Sequence, residues 1–155
     1  MLRRGVMVVA LLLGVVALLA VACSGGDGGQ TDDEGLTQTA DADGVTVEGT
    51  WLTAGSLGSV DADLTSYPLD EFVLVEVQFT THSGDLNEID MERASGLKQG
   101  DEAAAPVAWV SLSDDSHHRE GILVFQRAGR EGPAELTLDL GNDEVALLWE
   151  AVPAG

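Results

Sequence analysis

The chain has a single cysteine in 155 residues. That excludes an internal disulfide, so an exported domain of this sequence must hold together through its core alone. Positive charge is scarce too: seven lysines and arginines stand against 27 aspartates and glutamates. This balance excludes nucleic acid and anionic lipid headgroups as partners, because both demand a basic face. Signatures of catalysis are missing. There is no G-x-S-x-G elbow, no H-E-x-x-H and no P-loop, so no enzyme activity is expected. No segment carries a helical apolar period, which excludes a helical bundle, and there is no internal repeat. Histidine occurs only three times, twice side by side.

What is present begins with an address. Met1-Leu-Arg-Arg precedes an apolar run over residues 5–22, the layout of a secretory signal. The run ends in Ala20-Val21-Ala22-Cys23, which resembles the lipobox of bacterial lipoproteins. There, signal peptidase cuts before a cysteine that then carries lipid; Ala20 stands where the family usually has leucine. The resemblance implies lipidation at Cys23, a mature domain anchored on the outer side of the cell membrane, and a leader over residues 1–22. A transmembrane anchor is the rival reading, but about 18 apolar residues is near the lower limit for spanning a bilayer.

Residues 23–43 carry the lipidated cysteine and then a glycine-rich, acidic stretch with almost nothing to bury, which reads as a flexible linker. Asp41-Ala-Asp43-Gly44 lacks the further carboxylates and closing glutamate of a calcium loop. Loss of Arg3 and Arg4 with the leader leaves five bases and a net charge of about −22. Such a surface keeps a protein soluble and attracts cations, and also fits a salt-adapted habitat. Residues 44–155 are enough for one domain with one core.

Strand patterns dominate that domain. "VTVEGTWL", "EFVLVEVQFTTH", "PVAWVSL", "HREGILVFQR", "AELTLDL" and "EVALLWEA" alternate or run apolar, with turn residues between them, and a further short strand is expected near residues 90–97. About seven short strands predict an antiparallel β-sandwich of immunoglobulin or cupredoxin type. Trp51, Trp109 and Trp149 each lie inside such a strand and read as core or edge packing rather than a ligand platform.

The histidines are the one functional lead. In sandwich order, the strand ending at His82 and the strand beginning at His117 and His118 are antiparallel neighbours, so the three residues meet at one end of a sheet. Strand parity puts His82 and His118 on the outer face and turns His117 toward the edge, provided no bulge intervenes. Converging imidazoles can hold copper or zinc. Asp85, Asp90, Asp114 and Asp115 lie in the same end loops as further ligands or imidazole-orienting acceptors, and Met91 offers a thioether suited to Cu(I). The rival reading makes the same residues loop anchors, with "THSGD" as a self-bonded turn and the 117–119 triplet paired to Asp114 and Asp115.

"TTHSGDL" and, further on, "W…HHREGILVF" resemble an uncharacterised family of small exported bacterial lipoproteins with a THS-x-DL segment, a tryptophan strand and HH-x-x-G-x-L-x-F. Matching residues are Thr81, His82, Ser83, Asp85, Leu86, Trp109, His117, His118, Gly121, Leu123 and Phe125. The resemblance implies a β-sandwich and little else. The order His82, Met91, His117 is also similar to the His-Met-His-Met order of periplasmic copper chaperones, without the closing methionine. Together these lead to an outward-facing, membrane-anchored binding or accessory lipoprotein, with copper or zinc held by His82, His117 and His118. The alternative is a structural or protein-interaction sandwich with a protein partner at the cell surface and no metal.

Overall fold

The computed structural model describes residues 36–128 and 132–153. The leader, Cys23 and the linker up to residue 35 lie outside the described residues. Among the described residues, nine strands form two antiparallel sheets. They are β1 (Thr37–Ala42), β2 (Val45–Trp51), β3 (Phe72–Thr81), β4 (Ser95–Gln99), β5 (Glu102–Ala104), β6 (Ala108–Asp114), β7 (His118–Gln126), β8 (Gly132–Asp139) and β9 (Glu144–Val152). One sheet has the order β1-β2-β3-β7-β6 and the other β5-β4-β8-β9. Their inner faces meet in one core that draws on both sheets. The chain is the expected all-β sandwich. Among the described residues, no helix is long and apolar enough to cross a membrane.

Alternation explains the core. Val73, Val75, Val77 and Phe79 of β3 face Leu136 and Leu138 of β8 and Leu147 and Trp149 of β9 across the sandwich, all essentially inaccessible. Trp51 and Trp149 meet edge to face, with ring centroids 5.7 Å apart, an arrangement aromatic pairs favour. Both are the core residues expected of them. Trp109 is only half-buried and packs against Gly121; a Cβ at Gly121 would run into its ring and the Val110 carbonyl.

A second core lies on the opposite face of the five-stranded sheet. Residues 53–71 cross that face as a strap. Its half-buried Leu57, Val60, Ala62, Leu64, Tyr67 and Leu69 cover Leu74, Ile122 and Val124. Arg127 fastens the strap, donating from Nε to the Leu69 carbonyl at 2.7 Å and from Nη2 to the Phe72 carbonyl at 3.2 Å.

Three expectations are corrected. Residues 37–42, assigned to the flexible linker by composition, form β1. The strand pairs with β2 along its whole length, Ala40 and Ala42 pack against the core, and the Leu36 carbonyl accepts from Trp51 N at 2.9 Å and Trp149 Nε1 at 2.8 Å. The folded domain therefore starts before residue 44. The short strand expected near residues 90–97 begins only at Ser95; the preceding turn is helical, α1 (Met91–Ala94), capped by Asp90. The number of strands rises from about seven to nine with β1 and the three-residue β5.

Candidate functional site

The two ends of the sandwich differ. The chain enters at the end marked by Leu36, Gln99 and Val152, called basal below. The opposite, apical end gathers the turns between β1 and β2, β3 and α1, β6 and β7, and β8 and β9. All three histidines lie at the apical end.

β3 and β7 are antiparallel neighbours, with Thr80 opposite His118. His118 occupies the outer face as parity required, with its Nδ1 3.4 Å from Thr80 Oγ1. His82 does not continue that pattern. The strand ends at Thr81, whose Oγ1 donates to the Ser83 carbonyl at 2.8 Å and accepts from Ser83 N at 3.3 Å. Gly84 follows with φ of +85°. Residue 82 therefore sits at the tip of a closed turn, exposed, where strand alternation no longer sets its direction. His117 is tied through its backbone: its carbonyl accepts from Thr81 N at 3.0 Å, and its exposed ring lies with Nδ1 3.3 Å from Ser116 Oγ.

Of the four carboxylates named for this end, Asp114 accepts from Ser111 Oγ at 2.6 Å and the other three are occupied with the backbone. Asp85 accepts from Asn87 N at 2.9 Å. Asp90 accepts from Arg93 N and faces Arg93 Nε at 3.4 Å. Asp115 Oδ1 accepts from the amides of His117 and His118 at 2.9 and 3.2 Å. The His117 amide foremost holds the Asp115 carboxyl below its ordinary range, since a hydrogen bond to the charged form favours it. Met91 is 3% exposed and belongs to the main core, so its thioether is a packing group rather than a surface one. Among the described residues, no group of three or more His, Cys, Asp or Glu side chains is placed to hold a metal ion.

Two features at this end escaped the sequence. One is Arg119. Its side chain is 10% exposed and lies over the Trp109 ring, with Cζ 5.3 Å from the centroid. Nη1 donates to the carbonyls of Leu86 and Ile89 at 2.9 and 2.7 Å. The rival loop-anchor reading paired Arg119 with Asp114, and the two form a long ion pair, with Asp114 Oδ1 4.0 Å from Nε, which makes no hydrogen bond. The guanidinium works mainly as a brace that pins the 82–90 loop to β7. The other feature is an open cleft of about 610 Å³ between the β1–β2, β3–α1 and β8–β9 turns. Asn142 Nδ2 bridges its mouth to Asp43 Oδ2 at 3.1 Å. Asp43, Asp85, Glu88, Asp90 and Asp139 line it, with Arg93 as the cation and none of the three histidines. The turn at Gly141-Asn142-Asp143 was readable in the sequence, but its meeting with Asp43 was not.

No family model, characterised protein or solved structure matches the chain. The lipoprotein and copper-chaperone resemblances therefore rest on the quoted residues alone.

Proposed function

We propose that this protein is a lipid-anchored, non-catalytic interaction domain on the outer side of a bacterial membrane. It is tethered through Cys23 and presents its apical loop end to a protein partner. One observation carries the reading: the chain enters the sandwich at the basal end, at Leu36, and every apical turn lies at the other end of the strands. A tether attached there holds the basal end toward the membrane and leaves the acidic apical end free. In this reading His82, His117 and His118 belong to the loop framework. The support is the bonding at that end, where Thr81, Asp115 and Arg119 hold the loops through backbone groups.

The test is a membrane-reconstituted chain labelled at one introduced thiol, Asp101→Cys at the basal end or Asp143→Cys at the apical end, with an energy-transfer acceptor in the lipid. Stronger transfer from position 101 is the expected outcome, together with release of the protein from the membrane by Cys23→Ala. Equal or inverted transfer overturns the orientation, and retention of the Cys23→Ala variant overturns the anchor.

A further inference from the structure

The outer face of the five-stranded sheet changes character along its length. Near the basal end the strap covers it. Above the strap, β2, β3 and β7 present Glu48, Glu76 and Glu120 to one another. The pairing register places Thr50 opposite Glu76 and Glu48 opposite Gln78. It also places Ile122 opposite Glu76 and Glu120 opposite Gln78. Glu48 and Glu120 are thus the two diagonal neighbours of Glu76, close enough for long side chains to touch.

Glu76 is half-buried, flanked by Ile122 of the strap-covered core. Gln78 Nε2 donates to Glu120 Oε1 at 3.4 Å, which leaves Glu120 as the acceptor of the group. On β7, His118 is the next outward residue and is engaged with Thr80. On β1, Asp41 lies beyond β2 and is held by Thr46. On the strap, Asp63 is held by Thr65. Arg119 points to the opposite face, Arg127 is bound to the base of the strap, Arg93 sits on α1 and Lys98 on the other sheet. No lysine or arginine of the described residues therefore faces Glu76 to neutralise the three carboxylates.

We propose that Glu76 and Glu120 share a proton across the β3–β7 seam and so form a pH-responsive latch beside the strap. With the proton in place, the Glu76 hydroxyl donates to the Glu120 carboxylate and the seam closes. Without it, carboxylates with no counter-ion face one another at the edge of an apolar patch. Burial, then the hydrogen bond and charge of Glu120, then the charge of Glu48 all push the Glu76 carboxyl above its ordinary range. An acid whose affinity for protons is raised by folding stabilises the fold below its unfolded titration range. That stability is lost as pH rises through the folded one. The outer face is thus tighter in mild acid and looser toward neutral and alkaline pH.

The test is urea unfolding of the full-length chain in detergent micelles, read by tryptophan fluorescence between about pH 5 and pH 8. The wild-type midpoint falls as pH rises. Glu76→Gln flattens that fall, whereas Glu150→Gln, which removes the same charge from an exposed position on β9, leaves it as in wild type. Equal effects of the two substitutions overturn the latch in favour of net charge alone. Carboxyl carbon shifts give a second readout. Glu76 should titrate above the ordinary glutamate range, and move down toward it in Glu120→Gln. A Glu76 signal that titrates with the exposed glutamates contradicts the proposal.

Discussion

The basal and apical halves of the β3–β7 pair are built on different principles. In the basal half both faces of the sheet are covered. Val73 and Val75 face the main core and Leu74 faces the strap, while Ile122 to Phe125 are buried without alternation. In the apical half only the inner face is covered, and the outer face carries Glu76, Gln78, Thr80, His118 and Glu120. Apolar area holds the first half. Directional bonds from Thr81, Asp115 and Arg119 to the backbone hold the second. Burial at roughly 25 cal/mol per Å² tolerates little loss of volume but little depends on pH. Hydrogen-bonded loops keep their shape with little apolar area, and respond to protons. The separation lets one end stay rigid while the other is free to carry surface chemistry.

Five substitutions sharpen that contrast. The largest effect is expected on the basal outer face: Leu74→Ala destabilises by about 2–5 kcal/mol in urea unfolding, while Gln78→Ala, four residues up the same strand face, stays within about 0.5 kcal/mol. A loss at Gln78 equal to that at Leu74 breaks the comparison. Next is Arg119→Met, which keeps bulk but strips the Ile89 carbonyl of its side-chain donor and the Leu86 carbonyl of one of its two donors, the other being the Ile89 amide, at a cost of about 1–3 kcal/mol. Amide exchange in the 82–90 loop should accelerate ahead of exchange in β3. Gly121→Ala pushes a methyl into Trp109 and costs about 1–3 kcal/mol, visible as a change in tryptophan emission.

The smallest global effect is that of Asp115→Ala, whose signature is local: faster exchange of the His117 and His118 amides with little change in midpoint. Its pH dependence runs opposite to that of Glu76. Because folding lowers the Asp115 range, its contribution is present above the unfolded range and lost as pH falls through the folded one. Acid should therefore loosen the β6–β7 turn while it tightens the β3–β7 seam. Exchange measured across the acid range checks both signs in one experiment.

Much of the sandwich was legible because alternation is a local signal. Six of the strands announced themselves through alternating or apolar runs between turn residues, and the β3–β7 pairing at one end followed from strand order. The strap was not read, yet its mark was there: "FVLV" and "GILVF" are continuous apolar runs, as expected of strands covered on both faces. β1 was hidden because "TQTADA" contributes only two alanines to the core; it is held by the Leu36 carbonyl through a tryptophan 113 residues away. The helical turn at Met91 was too short to show a period. At the candidate site, parity placed His118 correctly and does not extend to His82, because a hydroxyl-closed turn ends the strand one residue earlier. Arg119 was missed because nothing local distinguishes an arginine that braces carbonyls from one that pairs with a neighbouring aspartate.

The central claim is that the apical histidines belong to a loop framework offered to a partner, not to a metal centre. Calorimetric titration of the protein with copper and with zinc tests it most directly, with His82→Ala and His118→Ala run alongside. The account predicts weak heats that neither substitution changes. Micromolar or tighter binding abolished by both substitutions would contradict it and make the apical end a metal site.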